Sequence, residues 1–161
     1  MTGEESGINS MYSTSQNQTI MKKMISFLMI FLAAMTNDSF SQNPTPETSI
    51  RNGQTVYEAY CLSCHMADGN GLEGVFPSLV KTGNLTDKNK LVKIMLQGMR
   101  GPIMVNGTKY DGEMARITLS DQEVADVINY IRNSWGNKAP LLKISDVAAG
   151  KKAVVNGYQP Y

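Results

Sequence analysis

Cys61-Leu62-Ser63-Cys64-His65 holds both cysteines and the only histidine of a 161-residue chain. C-x-x-C-H is the attachment signature of a c-type haem. Two thiols one helical turn apart can each add across one vinyl group of the same porphyrin. The next residue then offers its imidazole to the iron on the face where the chain is already tied. The alternatives fit less well. A structural zinc site wants four Cys or His ligands, and only three exist here. A redox dithiol of the C-x-x-C kind needs a preceding strand in a βαβ setting. A disulfide across two residues leaves the histidine unexplained.

Upstream of the peptide, apolar and small residues recur at Ile50, Gly53, Val56, Tyr57 and Tyr60. That is a helical period, and it predicts a helix from about Ser49 running into the peptide. Downstream, Gly69-Asn70-Gly71-Leu72-Glu73-Gly74 fits G-x-G-x-x-G. A dinucleotide loop, however, follows a strand and opens a helix. This one runs into Val75-Phe76-Pro77, where proline blocks helix continuation. The match is fortuitous, and its glycines are expected to let the backbone pass close to a porphyrin.

A second helix is predicted from Thr86 as N-cap, with Leu91, Ile94 and Met95 on its apolar face and Gly98 or Gly101 at its end. Residues 101–114, punctuated by Pro102, Gly107 and Gly112, read as a loop. Ser120-Asp121-Gln122-Glu123 is a capping box. It opens a last main helix with the stripe Val124, Val127, Ile128, Ile131 and Trp135, stopped by Gly136. One short helix is expected around residues 146–153, followed by a loose end. No strand and no internal repeat is expected, so the fold class is all-α.

The start of the chain reads differently. Residues 1–20 are polar and without apolar period. Met21-Lys22-Lys23, an apolar run over residues 24–35 and Ser39-Phe40-Ser41-Gln42 then form the three regions of a secretory signal. The run is about twelve residues, against roughly 20 for a membrane span. Cleavage is expected after Ser41, with translation starting at Met21 and residues 1–20 a misplaced start or disordered leader. An uncleaved membrane tether is the alternative. Residues 42–48 are then a linker, 49–137 the domain and 138–161 an extension.

Composition is that of a globular chain, with 42% hydrophobic and 18% charged residues. After removal of residues 1–41 the balance is 13 Lys and Arg against 11 Asp and Glu. Nothing in it suggests nucleic acid. Basic residues gather in 81–110 and acidic ones in 111–126. Two readings stay open, a strong molecular dipole or two ordinary solvated faces.

Residues 50–136 resemble the class I monohaem cytochromes c, the small bacterial and mitochondrial-type carriers. The resemblance rests on the helix entering Cys61–His65, on Gly74-Val75-Phe76-Pro77 and on Asn106-Gly107 with Asp111-Gly112-Glu113-Met114. It extends to Leu119–Val124 leading into Asn129-Tyr130-Ile131-Arg132. It implies a small haem-centred fold whose N- and C-terminal helices cross, with Gly53 suiting the crossing and Tyr57 and Tyr130 packing there. It implies one haem c bound through Cys61 and Cys64 and ligated by His65. The Pro77 carbonyl is the implied acceptor for the imidazole N–H.

The family takes its sixth ligand from the loop before the last helix, which nominates Met114, with Met104 second and Met95 a core residue. Many relatives have proline after this methionine, and Ala115 stands there here. A thioether opposite histidine favours ferrous iron and leaves no site for substrate. The implied role is therefore periplasmic one-electron transfer and not catalysis. The implied partners are redox proteins: a terminal oxidase, a nitrite reductase or a dehydrogenase. The alternatives are a subunit fixed in a respiratory or quinoprotein dehydrogenase complex, or an open-site haem peroxidase or gas sensor. Arg100 or Tyr110 is a candidate to meet the haem propionates, but the favoured reading is a solvated arginine and a packed tyrosine.

Overall fold

The computed structural model describes residues 21–26 and 45–161. Residues 21–26 are helical and exposed. They belong to a unit of their own, apart from residues 43–161. The expected cleavage point and most of the apolar run lie outside the described residues. No described helix is long and apolar enough to cross a membrane.

Helix α1 spans Pro46–Tyr60. It begins inside the expected linker because Thr45 caps it, accepting from the Thr48 amide, with Pro46 at the first helical position. The chain then turns through the short α2, Leu62–His65. After an irregular stretch and a 3₁₀ turn at Gly83–Leu85, helix α3 runs Lys88–Gln97. Its cap is Asp87 and not Thr86, since the carboxylate accepts from both the Asn89 and Lys90 amides. Helix α4 spans Asp121–Asn133 behind the expected capping box, closed reciprocally between Ser120 and Glu123. Helix α5 covers Ile144–Lys152.

The all-α expectation needs correcting. Residues 99–114 are not a loop. They form a hairpin of β1, Met99–Val105, and β2, Thr108–Met114, paired antiparallel from Met99↔Met114 to Val105↔Thr108. Asn106 and Gly107, both at positive φ (50° and 89°), make the two-residue turn. Pro102 is tolerated because β1 has a ladder partner on one side only.

Helix α1 crosses α4 at Gly53, where any Cβ would overlap the Asp126 carbonyl. The Tyr57 and Tyr130 rings meet there at 5.3 Å. A buried polar seam locks the crossing. Ser49 donates to Asp126, and the Asn129 amide donates to the Ser49 hydroxyl and to the Leu142 carbonyl, both at 3.0 Å. The Leu142 amide donates back to Asn129. Every member is partnered, so the seam specifies this docking rather than weakening it.

Trp135 lies past the helix end at φ 53° and not in the α4 stripe. Its ring packs tilted against Tyr57 at 5.2 Å and edge-on against Tyr130 at 5.4 Å, and its indole N–H donates to the Ala67 carbonyl. Gly69 is needed against this ring, and Gly71 against the Phe76 carbonyl, so protein contacts account for both. The segregated charges are partly paired across elements: Lys88 with Asp146, and Lys151 with Asp121. Asp126 is buried in the seam.

Residues 138–161 are part of the same packed unit. Leu142 and Val147 join the core, and the expected loose end is held by backbone hydrogen bonds from Arg100 to Gln159 and from Tyr161 to Gln97.

Candidate haem site

Two chambers of about 360 and 90 Å³ share walls at Cys61, His65, Pro77, Met99, Ile103 and Met114. The larger is on the scale of small-molecule sites, roughly 300–1,000 Å³. One wall is the peptide that ends α1, together with Val75–Pro77. The facing wall is the hairpin. Met99, Ile103, Tyr110 and Met114 share one of its faces, as the antiparallel register requires. Leu91, Ile94 and Met95 of α3 and Ile128 and Ile131 of α4 line the smaller chamber.

The first wall carries the chemistry. Cys61 and Cys64 are free thiols, Cys61 buried and Cys64 half-buried. Burial first, and Cys64 second, push the Cys61 thiol up to about 11. A redox dithiol requires the opposite, a stabilised thiolate, and α1 rather than a strand leads into this peptide. The His65 imidazole is buried, with Nδ1 2.9 Å from the Pro77 carbonyl oxygen. Burial pulls its pKa down, with the Pro77 hydrogen bond opposing. A neutral ring that donates from Nδ1 keeps the Nε2 lone pair for a metal. Among the described residues no group of three His, Cys, Asp or Glu converges on a metal position. Zinc therefore gains no support.

The methionines separate by position. Met114, at the end of β2, lines both chambers, and so does Met99, which pairs with it across the hairpin. Met104 is 58% exposed and absent from both linings. Arg100 is exposed and not among the lining residues, whereas Tyr110 and Arg116 are. Reading residues 101–114 as a loop hides Ile103 and the pairing of Met99 with Met114. The Asn-Gly pair between two seven-residue runs is the signal that reveals them. Asn137 also escapes a reading of the sequence. Its amide donates to the Leu79 and Ile131 carbonyls and its oxygen accepts from the Lys81 amide, which fixes the segment after Pro77.

The donor set suits a c-type haem: two free thiols and a ligand-ready imidazole on one wall of an apolar cleft, a thioether on the other. The class these features define is a protein built around covalently held haem. A model of the Cytochrome c family matches residues 50–135, more than half of the chain, and the chain belongs to that family. It is 35% identical over 94 residues to cytochrome c-552 of Thermus thermophilus, a stretch covering 53% of this chain and 70% of the relative. It is 36% identical over 108 residues to the gluconate 2-dehydrogenase cytochrome c subunit of Pantoea cypripedii, covering 63% of the chain and 24% of the relative. It is 37% identical over 93 residues to the cytochrome c subunit of alcohol dehydrogenase (quinone) of Gluconobacter oxydans (strain 621H), covering 55% and 19%. The chain thus spans most of the c-552 protein but about a quarter or less of the two dehydrogenase subunits. Family and relatives alike are electron-transfer proteins.

Proposed function

We propose that the protein is an exported, periplasmic one-electron carrier with one haem c joined to Cys61 and Cys64 and ligated by His65 and Met114. The observation that carries this reading is that His65 and Met114, from different elements, line the same cleft. Bound there, haem supplies an iron that takes up and gives back one electron. The chain supplies the rest. Pro77 fixes the imidazole through its carbonyl. The hairpin and α3 give Met114 an apolar surround, which disfavours added charge and keeps water from the metal. A thioether favours the ferrous state. With His65 and Met114 both serving as ligands, the chain would leave no position for substrate, which disfavours peroxidase or gas-sensor chemistry. The signal-like residues 21–41 support export.

Similarity to the dehydrogenase subunits supports a second reading, electron transfer within a larger complex. It differs in the permanence of the partner and not in the chemistry. Candidate partners are a terminal oxidase, a nitrite reductase or a dehydrogenase.

The test is to produce the chain with haem-attachment machinery. Mass spectrometry should show one haem added and no free thiol, and N-terminal sequencing of the exported protein should begin at Gln42. Haem that extracts into acidified organic solvent, or a five-coordinate iron that turns over peroxide, would overturn the proposal.

A further inference from the structure

After α5 the chain turns back along the outer side of the hairpin. The Tyr158 hydroxyl lies 2.6 Å from the Gly98 carbonyl and 3.1 Å from that of Lys93, so it caps the end of α3. Burial raises its pKa, which keeps it a donor. The Gln159 carbonyl accepts from the Arg100 amide at 3.1 Å on the edge of β1 that β2 leaves open. The Tyr161 amide donates to the Gln97 carbonyl at 3.2 Å.

These contacts converge on Gly98, and Gly98 abuts the methionine. A Cβ there would stand 2.5 Å from the Met114 carbonyl, 2.6 Å from the Tyr161 Cβ and 2.8 Å from the Arg116 amide. Met99, the next residue, is the ladder partner of Met114. The Met114–Arg116 backbone and Tyr161 are therefore packed together at the Gly98 junction, which residues 158–161 also hold by hydrogen bonds. Ala115 gives no stiffness of its own, unlike a proline, whose φ is fixed.

We infer that residues 158–161 are a strap that positions Met114, with Tyr158 as its anchoring residue. This rests on the reading of Met114 as the sixth ligand. Beyond rotation about the side chain's own bonds, the thioether leaves the metal by a shift of residues 114–116 relative to Gly98 and Met99. The strap prevents the end of α3 and the start of β1 from yielding with them.

The experiment uses the full chain with haem attached, Tyr158→Phe, and a chain ended after Ala153. Each is read by the thioether-to-iron charge-transfer band and by the rate of cyanide uptake of ferric protein at saturating cyanide, where opening is limiting. Tyr158→Phe should keep the band but take up cyanide about fivefold faster, the population equivalent of one net hydrogen bond. The shortened chain should exceed about tenfold. Glu123→Ala, a lesion at the far cap of α4, should lower the melting temperature without changing the plateau rate, which separates positioning from general stability.

If both strap variants bind cyanide at the wild-type rate while Met114→Ala has lost the band, the strap is wrong and the ligand reading stands. If Met114→Ala keeps the band, both fall together. Should the shortened chain fail to fold, Tyr158→Phe decides alone.

Discussion

Met114 and Met104 have the same side chain, lie ten residues apart in sequence and occupy opposite situations. Met114→Ala should abolish the charge-transfer band, lower the potential and open the iron to cyanide or carbon monoxide, because water or another hard ligand favours ferric iron. Met104→Ala should leave the band and the potential unchanged, since that side chain faces solvent. The reverse result would refute the ligand assignment. Glu123 gives a second prediction at this scale. Hydrogen bonds from the Ser120 hydroxyl and then its amide hold the Glu123 carboxyl below the ordinary carboxylate range. A depressed folded pKa means a contribution present above the unfolded value and lost as pH falls through the folded one. Glu123→Ala should therefore melt earlier at neutral pH, and the two melting curves should converge in acid. A constant offset at every pH would show that the carboxylate is not responsible.

The helices are legible in the sequence to within a few residues because their signals are local: the capping box at Ser120, the glycine at 98, the apolar stripes. Residues 99–114 are not. Their glycines and proline look like breakers, although an unpaired edge tolerates proline and Asn106-Gly107 marks a two-residue turn. The Cys61–His65 peptide is read from a local spacing, and the fold puts Cys61, Cys64 and His65 in the lining of one cleft. That Met99 stands beside Met114 follows from strand register, which only the two-residue Asn106-Gly107 turn signals in the sequence. The hairpin is also anchored from outside, as Asn84 donates to the Met104 carbonyl and Asn106 to that of Val80. Gly107 is at φ 89° with open space where a side chain would begin, so replacing it tests backbone strain alone. Gly107→Val should cost about 2 kcal/mol and speed cyanide uptake, read by denaturant titration and stopped flow. An unchanged midpoint would mean that the turn contributes nothing to the cleft wall.

For the molecule as a whole, the crossing of α1 and α4 closes the chain on itself. Gly53→Ala should destabilise the protein by about 3 kcal/mol, since its methyl group would overlap the Asp126 carbonyl and crowd the Tyr130 Cβ. A melting midpoint within error of wild type would contradict the tight crossing. The closure also sets an order of events during synthesis. Chains are made from the N-terminus, so Cys61 and Cys64 emerge about 70 residues before the last of the helix that buries α1. Until α4 has been made, α1 and the peptide that follows it lack the helix they pack against. In the folded chain Cys61 is buried, with its thiol pushed up to about 11. On the proposed function, attachment is expected to run more readily before the crossing closes than after it, so the docking of α4 acts as a timer.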